Sequence, residues 1–450
     1  MTKIYRAQIL SFRKDPTKCE TVLEAINYYK DGLIIIKKGL IKDVGNYEDI
    51  KNKYSIKNKE IDELYKDKLI IPGFIDTHIH YAQTEMIASF GEELLPWLEK
   101  YTFPTEAKFD NKKYAKGISK FFINELLKNG TTTALVLGTV HKQSVDAIFK
   151  VANKINMRLI AGKVMMDRNA PKNLLDTAKD SYKESEQLIK KWHNKNRLSY
   201  AITPRFAPTS TPKQLELAGK LKKKYPSVYV HTHLSENRNE IKWVKSLFPK
   251  LKSYLDVYDN YGLVGKKSVF AHAIYLEEEE YKVLYKKGAS ISFCPTSNLF
   301  LGSGLFRIRD MKKDKQNIKI GIGTDVGAGT SFSMLKTLSE AYKVISLEQN
   351  DKQNKKLFSS FEGFYQATLG SAESLYLDDK IGKLQSGYEA DFIVIDFKAD
   401  ELQKLRISKI EESKKSDIEK LEEKLFSLMI MGDDRNIIAT FINGKELKNT

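Results

Sequence analysis

Apolar runs alternate with polar segments through the middle of the chain, from Leu69 to about Tyr376. Eight runs have the composition of buried strands: LIIPGFIDTH, TTTALVLGTV, MRLIAGKVMM, LSYAITPRF, SVYVHTH, SVFAHA, ASISFCP and IKIGIGTD. The polar stretches between them suit helices, so the pattern predicts βα units around a parallel sheet. The number of units predicts an α/β fold, a (β/α)8 TIM barrel with insertions. A doubly wound open sheet is the alternative, but no run leads into the Gly-rich turn of a dinucleotide site.

The two ends of the chain have a different pattern. Residues 1–68 contain YRAQILSF and DGLIIIKKGLIKDVG, in which Gly32, Gly39 and Gly45 interrupt apolar runs as the turns of a meander do. Residues 377–450 contain IGKLQSGYEADFIVIDF and IIATFINGKEL, which have the same character. We therefore expect the two ends to pair into one small composite β domain beside a barrel formed by residues 69–376. Residues 401–428 are charged with Leu and Ile at helical spacing, which predicts a surface helix or one that faces a partner.

Composition limits the class of protein. The chain has 450 residues, 41% of them hydrophobic, which suffices for a sizeable core. Its apolar runs fall far short of the ~20 residues of a membrane-spanning helix. Lys3 and Arg6 interrupt the N-terminal stretch in which a signal peptide needs apolar residues. With Cys19 and Cys294 as the only cysteines, a disulfide framework is excluded. These features predict a soluble, cytoplasmic protein without a membrane partner.

The charge balance first suggests nucleic acid as a partner, since 75 Lys and Arg face 58 Asp and Glu, a formal charge of +17. The excess is mostly Lys scattered in mixed clusters such as KKYAKG and KSYLD. A nucleic-acid interface usually concentrates Arg and Lys on one face with aromatic residues between them. We therefore interpret the charge as a solvated surface and expect no nucleic-acid partner.

Polar residues stand at the carboxyl ends of several predicted strands. They are His78 and His80 on the first strand, His231 and His233 on the fifth, His272 on the sixth and Asp325 on the eighth. Strand side chains alternate with period two, so both members of each HxH pair point to the same face, which is the interior of a closed barrel. Active sites of such barrels form at this end of the strands.

Imidazole nitrogen and carboxylate oxygen converging from separate strands are the ligands of a catalytic zinc or a similar divalent ion. A lone histidine at a strand end is usually a hydrogen-bonded surface residue. The repeated placement at the same end favours a metal site instead. The HxH spacing alone leaves open whether His231 or His233 binds.

PGFIDTHIH, HTHLSEN, AHA and GTDVG resemble the metal-site motifs of the amidohydrolase superfamily. More specific are YAQTEM, LLPWLEKYTFPTE, ITPRFAPT, CPTSNLFLGSGLF and TDVGAGTSFSM, which resemble the substrate loops of one family within it, the guanine deaminases. The similarity extends over nearly the whole chain, because GKLQSGYEADFIVID also resembles the composite β domain of the superfamily. Arg307 departs from the family pattern, in which we expect Asp or Asn at the rim of the pocket.

The resemblance implies a set of site residues. The implied metal ligands are His78, His80, His233, His272 and Asp325. Glu236 corresponds to the acid that shuttles protons, and metal-bound Asp325 is the second catalytic residue. The implied substrate-binding residues are Gln83, Arg205, Phe206, His80, His233, Glu236 and Asp325. Superfamily members with two metals carry a carboxylated Lys at the end of strand four. Here that strand ends in Pro204 and Arg205, and Lys163 lies on strand three, so we expect one Zn²⁺ per chain.

The chemistry of three implied contacts suits a flat purine: an amide from Gln83, a guanidinium from Arg205 and an aromatic face from Phe206. The resemblance thus implies a cytoplasmic homodimer that converts guanine and water to xanthine and ammonia in purine catabolism. Rival interpretations are an aminohydrolase for cytosine, an adenosine derivative or a triazine, and a barrel that has lost its metal and serves as a scaffold. Trp97 suits either a lid or a packing anchor, and we assign no role to His141 or Cys294.

Overall fold

A computed structural model describes residues 2–91, 93–311, 318–350, 352–353 and 355–447. The described strands, in chain order, are β1 (Thr2–Phe12), β2 (Ile26–Lys37), β3 (Leu40–Asn46), β4 (Leu69–Pro72), β5 (Phe74–His80), β6 (Thr131–Leu137), β7 (Arg158–Gly162), β8 (Val164–Met165), β9 (Leu198–Pro204), β10 (Tyr229–Leu234), β11 (Ser268–His272), β12 (Ser290–Phe293), β13 (Lys319–Ile322), β14 (Phe392–Ile395), β15 (Ile437–Ile442) and β16 (Lys445–Leu447). They form two sheets, one from the ends of the chain and one from its middle.

The helices lie mostly between the strands of the second sheet. They are α1 (Tyr47–Lys53), α2 (Leu94–Trp97), α3 (Phe103–Ala107), α4 (Lys112–Lys128), α5 (Lys142–Lys154), α6 (Ala178–Trp192), α7 (Pro212–Lys224), α8 (Arg238–Leu247), α9 (Tyr254–Asn260), α10 (Glu278–Lys287), α11 (Pro295–Phe300), α12 (Ile308–Met311), α13 (Met334–Glu348), α14 (Ser360–Tyr365), α15 (Ser371–Ser374), α16 (Glu401–Glu412) and α17 (Asp417–Met431). A π-helical turn, Leu98–Thr102, joins α2 to α3. Within the described ranges, none of the helices is both long and apolar enough to cross a membrane.

The barrel prediction is confirmed. Parallel strands β5, β6, β7, β9, β10, β11, β12 and β13 follow one another in chain order, one from each of the eight predicted runs. The last strand meets the first through backbone hydrogen bonds: the Asp325 amide donates to the His78 carbonyl, and the His80 amide donates to the Val326 carbonyl, both at 2.9 Å. The eighth strand end is thereby joined directly to the strand that carries the first histidine pair.

The prediction that both ends of the chain pair into one β domain is also confirmed. The order of the seven-stranded sheet is β16-β15-β14-β4-β1-β2-β3, so strands from both ends meet where β14 lies beside β4. Apolar residues from both parts pack together, among them Ile9, Ile34, Ile70, Phe392 and Phe441. Burial of these side chains fixes the two ends of the chain against each other.

One predicted strand is in fact two. In LIIPGFIDTH, β4 pairs with β1 and β14 of the terminal sheet, whereas β5 belongs to the barrel. Gly73 separates them, and a Cβ atom at this position would lie 2.2 Å from the side chain of Thr132. Thus β4, within residues 69–376, belongs to the terminal sheet, and the chain passes from that sheet into the first barrel strand in a single residue.

Two of the three predicted meander turns are wrong. Gly39 does lie in the turn between β2 and β3, with φ of +81°. Gly32 and Gly45 lie inside β2 and β3. Gly32 pairs with Ala7 at a register shift, and a Cβ atom there would lie 2.9 Å from Cδ1 of Ile9. These glycines permit close packing within a strand and do not mark its end.

The predicted charged helix over 401–428 is also corrected, because the segment forms two helices. Between them, the Ser416 side chain accepts a hydrogen bond from the Glu419 amide and caps α17. Buried Leu421, Leu425 and Leu428 lie on α17, which packs against α13 and α14. The apolar stripe of α17 is therefore covered within the chain.

Candidate active site

The implied ligand residues lie close together at the carboxyl end of the barrel, all in its interior. Nε2 of His78 is 3.1 Å from Oδ1 of Asp325, and Nε2 of His80 is 3.4 Å from the same oxygen. Nε2 of His80 is 3.2 Å from Nε2 of His233. Nε2 of His272 lies 3.7 Å from Oδ2 of Asp325. Four imidazole Nε2 atoms and one carboxylate therefore converge on one point.

His231 lies below this point. Along β10, Tyr229 belongs to an apolar cluster that fills the barrel, and alternation places His231 and then His233 above it on the same face. Nε2 of His231 is 2.7 Å from Nδ1 of His78. The structure thus places His233 among the converging Nε2 atoms and His231 against Nδ1 of His78. The HxH spacing alone leaves this choice open.

The other Nδ1 contacts orient two further rings. Nδ1 of His233 is 2.7 Å from the backbone carbonyl oxygen of Arg205. Nδ1 of His272 is 2.9 Å from Oδ1 of Asn298. Hydrogen bonds of this kind fix the tautomer and the direction of a metal-binding imidazole. Sequence reasoning did not identify Asn298, although it lies in the quoted motif CPTSNLF.

The donor set fits a metal ion. Nε2 of His78 is buried and makes no hydrogen bond to the described residues, although Oδ1 of Asp325 lies 3.1 Å away. Ligand atoms of His78, His80 and His233 lie within 4.8 Å of one another, as do those of His78, His272, Cys294 and Asp325. Nitrogen and carboxylate oxygen ligands are those of zinc and related divalent ions. These residues can therefore hold one divalent metal, with Cys294 beside it.

Burial sets the protonation of the site. It lowers the pKa of His78, His80 and His233 well below the usual value, which keeps these rings in the neutral form that binds metal. Burial raises the pKa of the Cys294 thiol well above its usual value. Burial alone would lower the pKa of His272, but the carboxylates of Glu236 and Asp325 raise it.

Glu236 lies beside the ligand cluster, with Oε2 3.4 Å from Nε2 of His272. Burial raises its pKa to about 7, while the charge of His272 and a hydrogen bond from Ser303 oppose the rise. Oγ of Ser303 donates to Oε1 over 3.3 Å. A carboxyl group with a pKa near neutrality can both accept and release a proton at physiological pH.

A second buried glutamate holds the Glu236 backbone in place. Oε2 of Glu240 accepts hydrogen bonds from the Glu236 amide at 2.9 Å and the Asn237 amide at 3.2 Å. The Tyr254 hydroxyl donates to Oε1 of Glu240 over 2.8 Å. Sequence reasoning missed Glu240, although its spacing from Asn237 is that of a capping box at the start of a helix.

The ligand cluster lies at the base of a small cavity. The cavity is lined by His80, Gln83, Leu94, Trp97, Leu98, Arg205, Phe206, His233, Glu236, Glu240, His272, Leu301, Asp325 and Ala328. Trp97 is buried at this wall, and its Nε1 has no hydrogen-bond partner in the described part of the chain. Polar side chains from several elements converge here beside apolar ones, a mixture that suits a small molecule with polar groups.

A third buried glutamate connects two implied substrate contacts. Nη1 of Arg205 donates to Oε1 and Oε2 of Glu106 at 2.9 and 2.7 Å. Nε2 of Gln83 donates to Oε1 of Glu106 at 3.1 Å, and Oε1 of Gln83 accepts from the Gly327 amide at 3.3 Å. Sequence reasoning missed Glu106, which is the last residue of the quoted motif LLPWLEKYTFPTE.

The remaining candidates divide between the cavity and its surroundings. Phe206 lines the cavity and also packs in an apolar cluster with Trp97, so the ring belongs both to the cavity wall and to the core. Arg307 is not among the described residues that line the cavity, and its Nη2 donates to the Leu276 carbonyl at 2.6 Å. His141 is half-buried before α5, and burial lowers its pKa. Lys163 is fully buried and forms an ion pair with Asp176.

Comparison with known proteins agrees with this geometry. The Amidohydrolase family model matches residues 69–447. Guanine deaminase of Escherichia coli (strain K12) is 52% identical over 443 residues, which covers 98% of this chain and 97% of that protein. A structure of E. coli guanine deaminase superposes with a TM-score of 0.91 at 50% identity, covering 99% of each chain. A structure of guanine deaminase from C. acetobutylicum with guanine in its active site superposes with a TM-score of 0.88 at 32% identity, covering 100% of each chain. The chain belongs to the amidohydrolase family and, within it, to the guanine deaminases.

Proposed function

We propose that this protein catalyses the hydrolytic deamination of guanine to xanthine and ammonia. The observation that carries the proposal is that four of the five implied ligands, all except His78, line one cavity together with Glu236 and the pair Arg205–Gln83. A cluster of metal ligands beside a proton-transferring carboxyl group supports hydrolysis. The guanidinium and the amide support a polar heterocycle as substrate.

We infer one zinc ion per chain. His78, His80, His233, His272 and Asp325 would hold it. When bound, zinc lowers the pKa of a coordinated water toward neutrality and so supplies the nucleophile.

Two residues at the end of the fourth barrel strand, Pro204 and Arg205, offer no bridge to a second metal. Lys163 lies after the third strand, and its Nζ is already paired with Asp176. Both features support a single metal.

Glu236 would move the proton. Its carboxylate takes a proton from the attacking water and delivers it to a ring nitrogen of the purine. Its amide is held by Glu240, so the side chain starts from a fixed backbone position. Asp325 would orient the attacking water with its carboxylate and assist proton transfer to the departing ammonia.

Arg205, Gln83 and Phe206 would select the purine. Guanine carries a ring carbonyl at the position where adenine carries an amino group, and a guanidinium can only donate. A carbonyl therefore gains a charge-assisted hydrogen bond that an amino group cannot form. The Arg205 side chain keeps Glu106 as a partner in either case, so discrimination comes from its remaining donors.

The test is ammonia release from the metal-loaded protein with guanine, adenine, cytosine, adenosine and an amino-triazine. We expect kcat/KM for guanine to exceed that for adenine and cytosine by about one to two powers of ten or more. Arg205→Ala should lose most of this preference. Arg435→Ala removes an exposed arginine of the C-terminal region and should change nothing. Equal turnover of adenine and guanine by the unmodified protein would refute the assignment.

We further propose that the protein acts in purine catabolism in the cytoplasm as a homodimer. The support is its family membership. Light scattering on the purified protein measures the number of chains, and a monomer at micromolar concentration would contradict the homodimer.

A further inference from the structure

The strongest feature that the reaction itself does not use is the buried carboxylate of Glu106. It lies on α3 and is fully buried. It is not among the described residues that line the cavity, although both of its side-chain partners, Arg205 and Gln83, are. Any influence of Glu106 on the substrate must therefore pass through those two residues.

Glu106 balances the charge of Arg205, the only arginine or lysine among the described residues that line the cavity. The Arg205 side chain is 3% exposed and that of Glu106 is 0% exposed. Two opposite charges in contact and shielded from water attract each other strongly and present little net charge to a ligand. The face that meets the substrate thus offers donors without an excess of positive charge.

Glu106 also fixes the Gln83 amide. Its Oε1 accepts from Nε2 of Gln83, while the Gly327 amide donates to Oε1 of Gln83. The two contacts require opposite ends of the amide, so they set which end is NH2 and which is carbonyl. Cζ of Arg205 also lies over the ring of Phe103, on the same short helix, 5.7 Å from the ring centroid.

We propose that Glu106 is a positioning and specificity-determining residue that makes the cavity select uncharged purines over purine anions. It does so by neutralising Arg205 and by orienting Gln83. The inference rests on the proposed function for the identity of the substrate. The effect of Glu106 on selection by ligand charge can be measured by binding alone, without turnover.

The test uses Glu106→Gln, which keeps the size of the side chain and removes its charge. Arg205 then carries an unbalanced charge, which favours an anion. We expect calorimetry on the metal-loaded variant to show urate, a purine anion at neutral pH, binding about tenfold more tightly than in the unmodified protein. Hypoxanthine, an uncharged purine with the same carbonyl, should bind about tenfold more weakly because Gln83 and Arg205 are no longer held. An unchanged ratio of urate to hypoxanthine affinity would overturn the proposal.

Kinetics provide a second readout. Because Glu106 does not reach the reacting atoms, Glu106→Gln should raise KM for guanine about tenfold and leave kcat within about threefold. A fall in kcat with KM unchanged would contradict a positioning role. Glu99→Gln removes an exposed charge from the same run of helix and serves as the control, with no expected change in either constant.

Glu106→Asp separates the effect of the negative charge from the effect of the position of the carboxylate. It also replaces Glu106→Gln if that variant fails to fold. The shorter side chain keeps the negative charge but withdraws it from Gln83 and Arg205. Hypoxanthine binding should weaken about tenfold while urate gains nothing, and a gain for urate would overturn the role of charge. If the unmodified protein releases no ammonia from guanine, the proposed function fails. The two binding measurements still decide the role of Glu106.

Discussion

Nδ1 of His78 lies 2.7 Å from Nε2 of His231, so the first and fifth barrel strands contact each other through their histidines across the barrel interior. This contact directs Nε2 of His78 toward Asp325. An imidazole that orients a metal ligand contributes to metal affinity without touching the metal.

His231→Ala should therefore lower the affinity for zinc by about 10- to 100-fold. Competition with a chelator of known affinity measures the change. The control is His193→Ala, because His193 contacts Ser227 outside the metal-site cluster. Unaltered zinc affinity in His231→Ala would show that the contact does not orient His78.

One equivalent of divalent metal should remain per chain after exhaustive dialysis, as measured by elemental analysis. His78→Ala and His80→Ala should each lose both the metal and the activity, because each removes a direct ligand. Retention of two equivalents by the unmodified protein would contradict the single site.

Glu236→Gln should keep the metal and lose turnover by about 10²- to 10⁴-fold, because an amide has nearly the size of a carboxyl group but cannot accept the proton. Turnover and metal content are measured on the same sample. Glu279→Gln, on the exposed side of α10, is the matched control. A fall of less than tenfold would remove Glu236 from the proton-transfer step.

Ser303→Ala should shift the acidic limb of the kcat/KM profile to higher pH. The hydroxyl of Ser303 donates to the Glu236 carboxylate and stabilises its charged form, so its loss raises a pKa that is already about 7. The base form of Glu236 is lost as pH falls through this pKa. The limb should move up by about half a unit or more. The control is Ser246→Ala, at an exposed serine of α8, which should leave the pH profile unchanged. An unchanged profile in Ser303→Ala would show that its hydrogen bond does not affect the pKa of Glu236.

Two helical glycines should respond in opposite directions to substitution by alanine. A Cβ atom at Gly219 in α7 would lie 1.9 Å from the Tyr261 carbonyl oxygen. Apart from the adjacent residues and the nearby backbone of α4 itself, no described atom would lie within 4 Å of a Cβ atom at Gly117 in α4. Gly219→Ala should lower the free energy of unfolding by about 1 to 3 kcal/mol through overpacking. Gly117→Ala should raise it by about 0.5 to 1 kcal/mol through helix propensity. Denaturant titration measures both, and equal effects would contradict the close approach of α7 to Tyr261.

The barrel could be predicted because most of its parallel strands are buried on both faces and contain a short apolar run, such as ALVL in TTTALVLGTV. The positions of Gly32 and Gly45 inside strands could not be predicted, because a glycine that permits close packing in a strand can have the same sequence neighbours as a glycine in a turn. The break before Ser416 could not be predicted, because Leu and Ile occur at helical spacing on both sides of it.

The site divides in the same way. Histidines at strand ends could be recognised because strand alternation and barrel topology together determine where they point. Glu106 could not be placed, because it lies on a short helix in an insertion after the first strand, and only the folded chain brings it to Arg205, which is distant in sequence. The choice between His231 and His233 likewise depends on how far along the barrel axis each side chain lies. Strand alternation shows only that both point into the barrel.

The terminal sheet also constrains the biosynthesis of the protein. Strands β1 to β3 leave the ribosome first and can pair with one another, but β4 lies between β1 and β14, and β14 begins only at Phe392. One edge of β4 therefore remains unpaired until most of the chain has been made, and an unpaired edge invites association with other chains. Because β4 leads through Gly73 into the strand of His78 and His80, we expect nascent chains that end before Phe392 to depend on chaperones and to lack an assembled metal centre.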